Sequence, residues 1–127
     1  MSNKNLPIGV FDSGVGGLTV VRSIIKRLPH ESIIYFGDTA RVPYGTKSKD
    51  NITIFSREIV EFLMEKEVKL IVVACNTVCA TCLEILSNDY DIPIIGVIEP
   101  GSIAAVNSTK NLRVGVIGTP RTIDSGA

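Results

Sequence analysis

Five short apolar runs, at residues 8–11, 32–36, 68–74, 93–97 and 113–117, alternate along the chain with segments whose apolar residues recur at helical spacing. Two strands joined through a helix can only lie parallel, because a crossover returns the chain to the same end of the sheet, and such crossovers are right-handed. The alternation therefore predicts an α/β fold, a parallel sheet with helices on both faces. The expected helices run over 18–28, with Leu18, Val21, Ile25 and Leu28 on one face, and over about 50–66, with Ile52, Phe55, Ile59, Phe62 and Leu63. A third covers about 76–87, and a short one covers 102–107 after the punctuation of Glu99, Pro100 and Gly101. Ser48 or Asp50 can cap the second. In a parallel sheet every loop that follows a strand reaches the same edge. Asp12, Ser13, Tyr44, Cys75, Asn76, Glu99, Thr119 and Thr122 all belong to such loops, so residues distant in sequence are expected to line one crevice.

The most informative run is Leu70 to Val73, followed by Ala74, Cys75, Asn76 and Thr77. It is apolar on both faces, as a central strand must be, and it turns polar at once. From Val78 the apolar positions Val78, Cys79, Cys82, Leu83 and Leu86 are spaced for a helix, so Cys75 stands between a strand end and a helix start. A thiol there meets the positive end of the helix dipole, and free amides of the first turn can hold an anion beside it. That dipole is worth about 0.3–1 kcal/mol, about 2 at best, too little to ionise a thiol at neutral pH unaided. Either a further partner completes the activation, or Cys75 is simply a small buried residue at the top of the sheet.

At 127 residues, 45% hydrophobic and 20% charged, the chain has the composition of one soluble globular domain. Thirteen basic residues balance thirteen acidic ones and no Lys/Arg-rich block occurs, which argues against nucleic acid or an anionic membrane as partner. Residues 1–7 carry Lys4 but no long apolar stretch follows, and no run approaches a membrane span, so the cytoplasm is expected. The cysteines, odd in number and confined to positions 75, 79 and 82, do not form a disulfide framework.

Other motifs carry less. The turn after the first strand, Gly14-x-Gly16-Gly17, lacks the third glycine of a dinucleotide fingerprint, since position 19 is Thr, and no Walker lysine follows. Its amides can receive an anion, and Asp12 either caps the following helix or takes part in chemistry. Tyr44 and Gly45, after Pro43, read from the residues alone as turn positions. The spacing Cys75-x-x-x-Cys79-x-x-Cys82 is that of a radical SAM iron–sulfur motif, but the intervening residues suit a helix and Cys79 and Cys82 share its apolar stripe. His30, the one histidine, follows Pro29 at the far end of a helix, which removes a Cys–His hydrolase pair.

Taken together, Gly9 to Val20, Tyr35-Phe36-Gly37-Asp38, Pro43-Tyr44-Gly45, Ala74-Cys75-Asn76-Thr77, Gly96 to Gly101 and Gly118-Thr119-x-x-Thr122-Ile123 closely resemble bacterial glutamate racemases across nearly the whole chain. The resemblance implies a flavodoxin-like lobe of a two-lobed enzyme that interconverts L- and D-glutamate without cofactor or metal, the D form serving peptidoglycan synthesis. It implies two cysteines working from opposite faces of the substrate, one thiolate removing the α-proton and the other thiol returning one. By position Cys75 is the first, with Asp12 assisting it and contacting the ammonium. Ser13, Tyr44, Gly45, Asn76, Thr77, Thr119 and Thr122 would hold the carboxylates and amine. Such racemases are about twice as long and bring their second cysteine from the other half. Cys79 and Cys82 cannot replace it, since they follow Cys75 on one helix. The chain thus reads as a truncated portion, residues 1–98 forming the N-terminal lobe and 99–127 the start of the second, inactive in racemisation by itself. Exposed apolar surface would then favour a homodimer. Two other readings stand beside this one, a radical SAM or other iron–sulfur protein and a non-catalytic flavodoxin-like binding module.

Overall fold

In a computed structural model, which describes residues 5–127, two strands form the centre of the sheet. β1 (Ile8–Asp12) is buried at all five positions and pairs with β2 (Ile33–Gly37) on one side and β3 (Leu70–Val73) on the other. β4 (Ile94–Gly96) completes a four-stranded, all-parallel sheet in the order β2-β1-β3-β4. Residues 1–4, with Lys4, lie outside the described residues.

Helices cover both faces. On one, α1 (Leu18–Arg27) lays Val20, Val21 and Ile24 over Ile8, Val10 and Ala74. On the other, α2 (Lys49–Glu65) and α3 (Asn76–Asp89) bury Ile52, Ile59, Val60, Leu63, Val78 and Leu86 with Phe11, Ile71 and Val73. The N-cap of α2 is Ser48, whose hydroxyl accepts the Asn51 N–H at 3.2 Å. Among the described residues, no helix is long and apolar enough to cross a membrane.

Three expectations are corrected. The stripe of α1 is turned: Leu18, Ile25 and Leu28 are about half exposed, while Val20, Val21 and Ile24 face the sheet. Both sets fit a 3.6-residue period, and the β-branched set is the one that packs. The helix expected over 102–107 is longer. α4 (Ile98–Ser108) takes in Glu99, Pro100 and Gly101, because Pro100 falls in the first turn, where an N–H has no intrahelical acceptor to lose. The Gly101 N–H then makes the first helical bond, to the Val97 carbonyl at 3.2 Å.

The expected fifth strand is absent among the described residues. Residues 113–117 form neither strand nor helix, with Val116 and Ile117 at 74% and 101% exposure. Alternating valines record a side-chain pattern, whereas a strand also needs a neighbouring backbone, and none of the four strands lies beside this one. The chain then closes with a short helix, α5 (Pro120–Asp124), packed on α3.

Candidate active site

The pairing of β1 with β3 dictates what meets at the sheet edge. Its register ends with Phe11 opposite Val73, and the Ala74 N–H donates to the Phe11 carbonyl at 2.8 Å, so the chain leaves the ladder through Asp12 and Ser13 beside Ala74 and Cys75. Partners in a parallel pair point to the same face and successive residues alternate. Ala74 packs with Ile8 and Val10 on the α1 side and Cys75 with Phe11 and Val73 on the side of α2 and α3, while Asp12 reaches the start of α1. The Cys75 thiol donates to the Ser13 hydroxyl at 3.4 Å.

Asp12 is buried, and its Oδ2 accepts the N–H of Gly17, the N-cap of α1, at 2.8 Å. Gly17 cannot be larger: a methyl group there would sit 2.7 Å from the Asp12 Cβ and 3.0 Å from the Ala74 Cβ. Of the two roles open to Asp12, holding the start of α1 is visible directly. Its side chain also borders the same cleft as Cys75. The turn between them is fixed by Tyr35, whose hydroxyl donates to the Gly14 carbonyl at 3.0 Å. Burial, then the charge of Asp12, raises the pKa of that hydroxyl.

Cys75 is the N-cap of α3, so Asn76 and Thr77 bring first-turn amides to the sulfur. Asn76 is exposed and Thr77 buried. Thr77 Oγ1 lies 3.0 Å from Thr119 Oγ1, which lies 3.0 Å from Thr122 Oγ1, making a row of three hydroxyls. Thr119 is also the N-cap of α5, its Oγ1 accepting the Thr122 N–H at 3.3 Å. Asp12, Cys75, Asn76, Thr77, Thr119 and Thr122 line one open cleft of about 970 Å³. Loss of the fifth strand does not scatter Thr119 and Thr122, because Thr119 packs on Gly45 and the Arg121 guanidinium donates to the Lys47 carbonyl at 3.1 Å.

Tyr44, Gly45 and Ser13 are not among the residues that line the cleft. Tyr44 is fully buried in the same core as Cys75 and donates its hydroxyl to Asp38. Asp38 also accepts from Arg41 Nε at 2.6 Å, and Arg41 reaches on to Glu58 of α2 while its guanidinium covers the Phe55 ring, 4.2 Å from the centroid. Burial first, then the Asp38 hydrogen bond, pushes the Tyr44 hydroxyl well above the ordinary tyrosine range. This Tyr44–Asp38–Arg41–Glu58 chain was not foreseen from the residues. A signal existed, since Asp38 follows β2 much as Asp12 ends β1, with Arg41 three residues on. Glu99, expected at the crevice, is exposed in the first turn of α4 and outside the lining. His30 is exposed.

Cys79 and Cys82 are buried in the core. Cys79 donates to the Val73 carbonyl at 3.3 Å and accepts the Val97 N–H at 3.5 Å, and burial pushes its thiol up to about 11. Cys82 donates to Ser56 at 3.7 Å and is raised by burial as well. Their direction is inward, whereas cluster ligands would converge on one point. Among the described residues no three His, Cys, Asp or Glu side chains are grouped to hold a metal ion. What the cleft offers is one sulfur, a helix start, a row of hydroxyls and one carboxylate, a set suited to holding an anionic group beside a proton-transferring thiol.

Residues 8–127 match the Asp/Glu/hydantoin racemase family. The glutamate racemase of Geobacter metallireducens is 60% identical over 120 residues, which are 94% of this chain and 44% of that protein. The crystal structure of a Bacillus anthracis glutamate racemase superposes with a TM-score of 0.92 at 52% identity, covering 97% of this chain and 46% of that one. A Francisella tularensis glutamate racemase solved with D-glutamate superposes with a TM-score of 0.83 at 51% identity, covering 97% and 46%. The chain spans about half the length of the relatives it matches.

Proposed function

This chain belongs to the Asp/Glu/hydantoin racemase family, and we propose that it supplies one catalytic side of a glutamate racemase. The observation that carries this reading is the position of Cys75, at the N-cap of α3 and on the cleft that Thr77, Thr119 and Thr122 border with their hydroxyls. An α-amino acid fits that chemistry. Its carboxylate is met by the amides of Asn76 and Thr77 and by the hydroxyl row, and its ammonium by Asp12. The Cα hydrogen then faces the sulfur. As thiolate, Cys75 takes that hydrogen as a proton, and the electron pair left on Cα spreads into the carboxylate, whose growing charge the same donors stabilise. The bound ammonium stabilises the thiolate beside it, adding to what the helix dipole contributes. Tyr44 and Gly45 act one layer back, by shaping the wall and seating Thr119.

Inversion needs a second proton donor on the opposite face of Cα. Cys79 and Cys82 point into the core and so do not serve. The reading therefore assigns that donor to a part of the racemase outside these residues, with 1–98 as the first lobe and 99–127 as the beginning of the second. It requires no cofactor, and it places the enzyme in the cytoplasm, making D-glutamate for peptidoglycan.

The test is α-proton exchange in deuterated water with each enantiomer, followed by proton NMR. This chain is expected to exchange the α-proton of one enantiomer slowly, with retention, and Cys75→Ala to abolish it. Exchange that survives Cys75→Ala, or no exchange of either enantiomer, would remove Cys75 as the base. Accumulation of the other enantiomer would contradict the two-sided scheme.

A further inference from the structure

We propose that Ser13 is the direct hydrogen-bonding partner of the Cys75 sulfur in both of its protonation states. The proposal rests on the reading of Cys75 as the proton-transferring group, but its geometry is independent of which substrate binds.

Ser13 and Cys75 follow the adjacent ends of β1 and β3, and the two side chains meet at 3.4 Å. Asp12, one residue earlier, is turned by the strand alternation to the other face, where its Oδ2 holds the Gly17 amide. The hydroxyl and the carboxylate differ in what they can do for sulfur. A hydroxyl both accepts and donates, so Ser13 accepts from the S–H and, after the proton leaves, rotates to donate O–H to the thiolate with no movement of the backbone. An ionised carboxylate only accepts and would oppose the thiolate's charge. Proton count is conserved: the thiol proton goes to solvent or substrate, and Ser13 keeps its own.

Other groups around the sulfur do not take that place. Tyr44, from the loop after β2, gives its hydroxyl to Asp38. Cys79 and Cys82, farther along α3, are engaged with Val73, Val97 and Ser56. Asp12 borders the cleft from the end of β1. α4 lines it with Ile98, Gly101, Ser102 and Ala105 and α5 with Thr122 and Ile123, none of them titratable.

The experiment is iodoacetamide alkylation of the 127-residue chain, with label on Cys75 quantified by peptide mass spectrometry at neutral pH and at a pH high enough to ionise the thiol fully. The ratio of the two rates separates thiolate population from access. A hydrogen bond to a charged group predicts that Ser13→Ala lowers this ratio about tenfold. Ser13→Gly, which deletes the same hydroxyl with a different backbone, should do likewise, and Ser13→Thr should keep the native ratio. Wild-type ratios in both hydroxyl-free variants, or an equal fall in Ser13→Thr, would overturn the assignment. Because no glutamate is present, this result is independent of the α-proton exchange: failed exchange with a lowered ratio removes the racemase reading and leaves the Ser13–Cys75 pair.

Discussion

Thr119 lies against Gly45 so closely that a methyl group on Gly45 would fall 2.7 Å from the Thr119 Cβ and 2.8 Å from its Cγ2. The loop after β2 and the first turn of α5 thus seat one another, and the middle hydroxyl of the Thr77–Thr119–Thr122 row owes its position to a missing side chain.

Gly45→Ala should push α5 away from the body, since α5 is a single short helix and moving it relieves the overlap more readily than moving the sheet. Hydrogen exchange read by mass spectrometry is expected to rise at Thr122 and Ile123 and stay unchanged in β1 and β3. Unchanged exchange in α5 would mean that the contact does not position it.

Stability should fall on the alkaline side. Cys79 keeps its proton to about 11 when folded, against an ordinary value of 9.0, and Tyr44 keeps its own above the ordinary 10.0. The unfolded chain releases these protons first, so their contribution is complete below about pH 9 and is lost as pH rises through the folded values. Urea midpoints between pH 8 and 12 should decline from about pH 9 upward. Cys79→Ala should flatten the onset, and Tyr44→Phe the part above pH 10, each from a lower starting stability because a buried partner is left unpaired.

α3 presses on β4 at Gly96, where a methyl group would lie 2.5 Å from Leu83 Cδ2 and 3.1 Å from Cys79 Sγ. Gly96→Ala is expected to cost about 1–3 kcal/mol in equilibrium unfolding. In a Leu83→Ala background the penalty should shrink, because the nearest atom is gone; a double-mutant cycle measures that coupling.

The unpaired stretch 113–117 exposes Val114, Val116 and Ile117, and Leu112 beside it is exposed too. Such an edge recruits another strand or another apolar surface. Light scattering after size exclusion should find dimers or larger species at high concentration, and Val116→Lys with Ile117→Lys should shift them toward monomer. A compact monomer at high concentration in the unsubstituted chain would refute this.

Most of the architecture was legible in the residues. Four of the five apolar runs are strands, and Ser48 opens α2. Cys75 stands at the junction of β3 and α3, where the change from a continuous apolar run to helical spacing put it. Two of the errors share a cause. The stripe of α1 and the pairing of 113–117 depend on what lies across from a residue, and periodicity records only the residue's own chain, whereas the length of α4 turned on Pro100 belonging to a first turn rather than ending a loop. The same limit applies at the site. Asp12, Cys75 and the threonines could be assigned to one edge from topology, but Tyr44 facing Asp38, and Ser13 rather than Asp12 touching sulfur, follow from which face each side chain takes.

That facing is set where the ladder between two neighbouring strands ends and the first residues of the following loops begin. An insertion of one residue between Phe11 and Ser13 would reverse the alternation and present the wrong group to Cys75 while leaving every helix free to form. By contrast, a graft that preserved this pair of strands, their offset and the residues just past their ends would carry the oxygen–sulfur contact with it. The unit that must be copied to reproduce the chemistry is thus a short stitched ribbon, and the rest of the domain serves to keep its thread count.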